Sequence, residues 1–551
     1  MKRLITLCAA IAFAGQAWAV DYFDIDNLRY FVIQGTKTVT VTYAETKPEG
    51  DIIIHSTVEN DGKTYTVTSI ENGAFSYCVD MKSISIPNTV THIGGMAFSN
   101  CSGLTSITIP NSVTSIEAEV FKGCSSLQSI TFPYVYKQPF GYIFGGSAYE
   151  GAIRTDQVEK TPDGEVQRFY RFYIPQSLNS VIVNGGKIVY GAFKNCIGLS
   201  SVVIGDSVES IGEDAFYGCN SLTSIVIGES VDSIDSFTFR GCNSLSSVII
   251  KSDVNLSGSD LWIKKDGIEY RVENKNTVSV GCKLQSSYSG DIIIPATVIV
   301  GGTFDVKSIG PYAFSHDSIT SITIPNSVTE IGEAAFSHCG CLTSITIPNS
   351  VVSIGGWVFP NCSSLTEINV ESGNTEYVSV DGVLFNKDKT ILISYPAGKT
   401  GEYTIPSSVK TIATHAFSGC SNETTVIIPN SVDCGEYYAF YDCTATVKCM
   451  VNEIPYGWDI GWCGYDENFK GVVVWGYTPT PITESAANAV NIYVYGKTIV
   501  VENAAEEIRV YDVMGKLVCR DAARHVSTIT VNGTGAYIVK VGDVVKRVVI
   551  N

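Results

Sequence analysis

A 23-residue period governs this chain. A phenylalanine, in most copies preceded by alanine, stands at Phe75, Phe98, Phe121, Phe193, Phe216, Phe239, Phe314, Phe336, Phe359, Phe417 and Phe440, and within each block the step is 23, once 22. The string SITIPNSV recurs at Ser106–Val113, Ser321–Val328 and Ser344–Val351. Written out, the unit is L-x-S-I-x-I-P-x-S-V-x-x-I-G-x-x-A-F-x-x-C-x-x. So short a unit cannot enclose a core alone, whereas stacked copies each bury a face against the next. Ile107-Thr108-Ile109 alternates in and out and reads as a short strand. Pro110 ends it, having no N–H to donate. Val113, Ile116 and Phe121 carry apolar residues around the rest of the coil, and Glu119–Cys124 has room for one helical turn. The expected body is mainly β: a solenoid of 23-residue coils whose short parallel strands form one continuous sheet.

The period breaks at about 134–190, 251–309 and 371–411. The middle break repeats the N-terminal leader, since GDIIIHSTVENDGKTYTVTSI from Gly50 matches GDIIIPATVIVGGTFDVKSI from Gly290. The layout expected is a strand-rich leader at 20–68 capping the first coil, a solenoid at 69–450, and a Trp- and Tyr-rich cap at 451–478. A linker at 479–490 and a separate C-terminal domain at 491–551 follow.

The two ends speak to cellular address. Residues 1–19 carry two cations, an apolar run and Ala17-Trp18-Ala19, which fits small-x-small cleavage after Ala19. That run is too short to span a bilayer, and no later segment qualifies, so no transmembrane segment is expected after signal removal. The last 61 residues alternate as strands with glycines at the turns and read as a small β-sandwich. They carry +2 of charge in a chain of net −18. So acidic a chain is repelled by phosphate backbones, which disfavours nucleic acid as a partner.

The repeat resembles the BspA-like leucine-rich repeat family over about Ser69–Cys443. That resemblance implies an extracellular or surface solenoid and an association with adhesion to host matrix proteins and other cells. The tail resembles the C-terminal sorting domain of the type IX secretion system at Val510–Lys516, Gly535–Val541 and Lys546–Ile550. This implies contact with outer-membrane secretion machinery and delivery to the outer surface, or the surroundings, of a Gram-negative bacterium.

Ten of the 17 cysteines share one repeat position, three after the Phe: Cys78, Cys101, Cys124, Cys196, Cys219, Cys242, Cys339, Cys362, Cys420 and Cys443. Their common register reads as a structural ladder of small buried thiols rather than disulfides. In an apolar ladder, serine at Cys219 is expected to cost more than alanine. His316 and His338 fall two residues after their Phe in adjacent coils and read as surface histidines rather than a metal pair. No paired C-x₂-C, nucleophile elbow, H-E-x-x-H, P-loop or dinucleotide fingerprint is present, so no catalytic residue, metal or cofactor is expected.

The outward strand columns, such as Ser106 and Thr108, are small and almost uncharged, which suits broad weak contact better than a tight site. Aromatic residues gather instead in the first interruption. The candidate partner-binding residues are therefore Tyr134, Tyr136, Phe140, Tyr142, Tyr170 and Tyr173, with burial inside an enlarged coil as the competing reading. Together these features point to a non-enzymatic binding protein engaging a host matrix or cell-surface protein or glycan. A hydrolase with its site in an interruption, and a surface spacer without a ligand, are the other readings.

Overall fold

The structure is a computed structural model that describes residues 22–135, 137–160, 167–256, 258–281, 287–421, 423–459, 461–463, 469–478, 490–495, 497–502, 504, 506–513, 515–522, 526–541 and 544–550. Two compact units divide the chain, one ending at Gly476 and one beginning at Tyr477. Ala17 and Ala19 of the expected cleavage site lie outside the described residues. Among the described residues no helix is long and apolar enough to cross a membrane.

In the first unit, each repeat makes one coil that hydrogen-bonds to its neighbours along three runs. The SIxI strands form the first. Six of them, from Ser106–Thr108 through Ser129–Tyr134, Ser180–Ile188, Ser201–Ile204 and Ser224–Ile227 to Ser247–Ile250, pair in parallel, aligning Ser106, Ser129, Ser180, Ser201, Ser224 and Ser247 in one row. Short strands ending at the x-x-I step form the second, where the end of Lys63–Ile70 pairs with His92–Ile93 and that with Ser115–Ile116. The third runs along the Phe segment, where Phe75 N–H donates to Ala97 O at 2.8 Å and Phe216 N–H to Thr238 O at 2.9 Å. Backbone groups that a lone coil would leave orphaned are thereby satisfied between coils.

The strand face is not one continuous sheet. Beyond Ile250 it continues as separate parallel groups, namely Ser289–Ile293 with Ser318–Thr323, Ser344–Ile347 with Glu367–Val370, and Gly401–Thr404 with Thr424–Ile428, Thr446–Cys449 and Val472–Val474. An inserted leader interrupts the row of coils. Trp262–Lys265, Ile268–Val272 and Thr277–Gly281 form an antiparallel meander that then pairs in parallel with Gly302–Ile309. Tyr22–Ile25, Leu28–Val32, Thr38–Thr42 and Lys63–Ile70 have the same order, with the same register shift after Val39 as after Val278.

The Phe rings stack coil on coil. Phe193 and Phe216 lie 5.0 Å apart at 3°, Phe314 and Phe336 5.5 Å apart at 1°, and Phe417 and Phe440 4.6 Å apart at 1°. The Phe segment is a chain of turns rather than a helical turn, because the residues two before and two after the Phe take positive φ. Met96 and Asn100 (56° and 60°) flank Phe98, and Ala334 and His338 (52° and 60°) flank Phe336. The repeat glycine follows from close approach: a Cβ on Gly355 would lie 2.4 Å from Glu333 N, and one on Gly212 2.8 Å from Tyr190 N.

All ten ladder cysteines are buried. Six of the thiols, those of Cys101, Cys124, Cys219, Cys242, Cys339 and Cys362, are directed at the preceding coil: Cys101 Sγ donates to Phe75 O, Cys124 to Phe98 O and Cys219 to Phe193 O, each at 3.1 Å. The position is thus a donor site as well as an apolar one. Asp317, three after Phe314, takes the same position where the inserted leader precedes the coil. It is 5% exposed, and its carboxylate accepts Tyr288 N–H at 2.8 Å.

The second unit holds two antiparallel sheets. Asn491–Tyr495, Thr498–Glu502 and Val526–Thr530 form one. Leu517–Asp521, Ile508–Asp512, Gly535–Val541 and Val544–Ile550 form the other. Ile499, Val501, Ile508, Val510 and Val539, drawn from both sheets, are fully buried in one core.

Two predictions follow from the ladder. Phe193 O also accepts Cys196 N–H at 3.0 Å, so losing the Cys219 thiol does not orphan it. Cys219→Ala is therefore expected to cost about 1 kcal/mol, and Cys219→Ser, which retains a donor aimed at the same carbonyl, no more than that. This reverses the order expected for a purely apolar ladder. Chemical denaturation of both variants checks it, and a serine variant clearly weaker than the alanine variant would remove the donor role. The second concerns pH. Burial pushes the Asp317 carboxyl up to about 6, although Tyr288 N–H and His316 act the other way. The folded state holds that proton more tightly than the unfolded chain, so this group's contribution to stability falls as pH rises from about 4 to about 6 and is level above it. Asp317→Asn should flatten that part of the profile in thermal melts across this range.

Candidate binding surface

The ring-rich interruption is partly a disguised coil. Phe144 lies 23 residues after Phe121 and its ring sits 6.2 Å away, while Phe140 lies 4.7 Å from Phe193. Main-chain bonds confirm the continuity: Phe121 N–H donates to Ile143 O at 2.8 Å and Phe140 N–H to Ala192 O at 2.7 Å. Phe140–Ile143 form a short 3₁₀ turn within this coil. Tyr134 is 3% exposed, with its hydroxyl donating to Gln138 O at 2.8 Å, and Phe140 is fully buried. Both must therefore be withdrawn from the partner-binding candidates. Their rings continue the Phe column, where apolar stacking outweighs exposure. Tyr142 is half-buried and packs on the core, Tyr170 and Tyr173 are half-buried on a strand, and Tyr136 lies outside the described residues.

What the interruption adds is a hairpin, Ala152–Lys160 paired with Gln167–Pro175. Gln157 anchors it from a fully buried position. Its Oε1 accepts Gly141 N–H at 2.8 Å, and its Nε2 lies 3.2 Å from Ala192 O and 3.1 Å from Lys194 O. Phe172 closes over Gly141, where a Cβ would lie 2.4 Å from the ring. Tyr170 stacks on Phe172 at 5.6 Å on that same face, and Phe169, on the opposite face of the strand, is 77% exposed.

Between this hairpin and the coils that follow lies a cleft of about 850 Å³. Arg154 and Asp156 of the hairpin form one wall, and Tyr217, Phe237 and Arg240 of the coils the other, over a floor that includes Gly218 and Gly241. Arg154 grips Asp156 through two nitrogens at 3.0 and 2.8 Å and holds its carboxyl below the usual carboxylate range. That suits Asp156 to ion pairing rather than to proton donation. Phe237 is 46% exposed, and the Arg240 guanidinium lies 5.4 Å from its ring centre. Among the described residues Arg240 has no carboxylate partner.

Sequence reasoning passed over Tyr217, Phe237 and Arg240. The available signal was the column just after the Phe: Ser76, Ser99, Ser315, Ser337 and Ser418 in five coils, but Lys122, Lys194, Tyr217 and Arg240 in the middle of the stack. The strand face behaves otherwise, since Ser106, Thr108, Ser344 and Thr346 are exposed and small. His316 and His338 stack at 4.2 Å, but both ring nitrogens of His338 already face protein, Nδ1 at 2.8 Å from Ser337 Oγ and Nε2 at 3.0 Å from Asn361 Nδ2. No group of three or more His, Cys, Asp or Glu residues placed to hold a metal occurs among the described residues.

Core and surface rings should respond differently to truncation. Phe140→Ala is expected to cost about 3–5 kcal/mol. Phe169→Ala and Phe237→Ala should each stay within about 0.5 kcal/mol of the parent. Denaturant unfolding of the three variants checks this, and a strongly destabilised Phe237→Ala would make that ring structural.

The chain matches the BspA type leucine rich repeat region, in six copies, over residues 62–161, 168–279, 303–389 and 395–454. No curated protein matches it. Among solved structures it is similar to a leucine rich cell surface protein from Faecalibacterium prausnitzii, at 23% identity over 78% of this chain and 94% of that one, with a TM-score of 0.27. A leucine-rich repeat protein from Bacteroides ovatus is 23% identical over 79% of this chain and 89% of that one, TM-score 0.25. The pneumococcal vaccine antigen PcpA is 16% identical over 82% of this chain and 78% of that one, TM-score 0.25. The matched repeats occupy about two thirds of the 551 residues, and the chain belongs to the BspA type leucine rich repeat family.

Proposed function

We propose that this protein is an exported binding protein, displayed on or released from the outer surface of a Gram-negative bacterium, that mediates adhesion to host proteins, their glycans or other cells. The observation that carries the binding role is the cleft beside the anchored hairpin. The strand face repeats small hydroxyl side chains, whereas here an insertion, two arginines, the half-buried Tyr217 and the exposed Phe237 ring converge. Aromatic and arginine side chains are the usual carriers of binding energy. Surface display is in keeping with the BspA type leucine rich repeat family to which the chain belongs. Export is assigned to residues 1–19 with cleavage after Ala19, and to residues 491–551 acting on type IX machinery. The two sheets of that tail share one core, in keeping with a sandwich-type sorting domain.

The immobilised full-length mature chain should retain a saturable partner from host matrix or cell-surface extracts. Phe237→Ala should lower retention about tenfold at an unchanged melting temperature, while Thr108→Arg and Thr346→Arg leave it intact. Binding abolished by the sheet-face pair and indifferent to Phe237 would move the site to the strands. Deleting 491–551 should leave the body in the periplasm, as read by surface labelling and fractionation. Surface labelling at the parental level would remove the tail from export.

A further inference from the structure

The cleft's chemistry identifies the class of ligand it takes. We infer that it binds a carboxylated saccharide, with Arg240 pairing the sugar carboxylate and the Phe237 ring packing against the pyranose face. The inference rests on the binding role proposed above and narrows it.

Four observations carry it. The first is charge. Asp156 is already held by Arg154, with Arg171 at 3.8 Å, and Asp260 accepts Trp262 Nε1–H at 2.8 Å. Nearby Lys194 is taken by Asp214 at 2.7 Å. Among the described residues lining the cleft, Arg240 presents a guanidinium whose contact is a ring face rather than a carboxylate. The cleft lining sets Arg154 and Arg240 against Asp156 and Asp260, and with Arg154 spent on Asp156 the Arg240 guanidinium fork is the one placed to fit a ligand carboxylate by two parallel hydrogen bonds.

The second is the apolar surface. Phe237 is 46% and Ile197 43% exposed, both beside polar neighbours, which suits a ligand with a C–H face and a hydroxyl rim. The third is the floor. Its coils use their main chain on each other, Asn195 N–H donating to Tyr217 O and Gly218 N–H to Arg240 O, both at 2.8 Å. An extended peptide that binds by adding a strand needs free main-chain groups, and these are spent. Recognition here falls to side chains, among them the exposed Asn220 amide, which suits a saccharide better than a peptide. The fourth is shape. Gly218 and Gly241 stand where Asn100, Asn195, His316 and His338 stand in other coils, Gly123 and Gly419 being the other glycines of that column, and here two successive coils present no side chain at it. The buried Gln157 fixes the opposite wall, and the cleft is preformed.

A sugar carboxylate comes from a uronic acid or from a sialic acid, and the test separates them. Full-length protein is titrated by calorimetry with polygalacturonate, sialyllactose, neutral dextran and poly-glutamate. Saturable binding of polygalacturonate or sialyllactose, none of dextran, and about a tenfold loss in Arg240→Gln at an unchanged melt are expected. Arg240→Lys should retain part of the affinity, and Thr346→Arg all of it. Three results would overturn the inference: no binding of either carboxylated sugar, binding indifferent to Arg240→Gln, or poly-glutamate bound in preference to both. If extracts still yield a partner sensitive to Phe237→Ala while neither sugar binds, the ligand class is wrong and the binding role stands. If extracts and sugars both fail, both readings fall.

Discussion

Main-chain hydrogen bonding between successive coils is the constraint from which the rest of this protein follows. Each coil presents edges along the strand, the short two-residue step and the Phe segment, and within each block these are largely satisfied by the neighbouring coil. That works only if every coil turns its corners alike. Two corners per coil place a residue at positive φ, among them the non-glycine Met96, Asn100, Asp214, Phe237, Ala334 and His338. Such a conformation costs about 1–3 kcal/mol where no glycine relieves it. The ladders on either side over-determine it. The repeat glycine and the Phe column serve the same end, one by letting two backbones approach, the other by filling the space between them.

Registry also decides how side-chain chemistry is distributed. A residue type fixed at one repeat position becomes a row along the molecule. The Cys row links coils through thiol-to-carbonyl contacts, and the Ser/Thr row leaves the strand face smooth. A binding site in such a stack arises where rows are broken. The hairpin at Ala152–Pro175 breaks them by insertion, and Tyr217, Phe237, Arg240 and two glycines break them by substitution. Because Gln157 bonds the hairpin to the coil at Ala192–Lys194, the insertion becomes a fixed wall rather than a loose loop.

Much of the fold was legible in the chain, and the misses have physical causes. The eleven Phe positions report the coil directly, and the Cys and S-I-x-I positions keep the same spacing. Phe144 was overlooked, although it falls on the period, because the strand after it is displaced by the hairpin. Tyr134 and Phe140 looked like surface aromatics because an interruption carries no inside and outside of its own. Their burial is set by Phe132, Phe144 and Phe193 around them. The donor role of the cysteines was equally hidden, since the carbonyl they address belongs to a residue 25 or 26 positions earlier.

By itself the amino-acid order determined the period, the strand, the stacked column, the duplicated leader and the family. All of these are local patterns repeated, and a repeated local pattern survives in one dimension. Only the tertiary structure decided which aromatic rings are core and which are surface, and it alone brought Asp156 beside Tyr217, Phe237 and Arg240. Those residues lie 61 to 84 positions apart in sequence. They meet because the coil stack advances by one short step per coil while the hairpin reaches forward over the coils that follow it, and no local pattern encodes that reach.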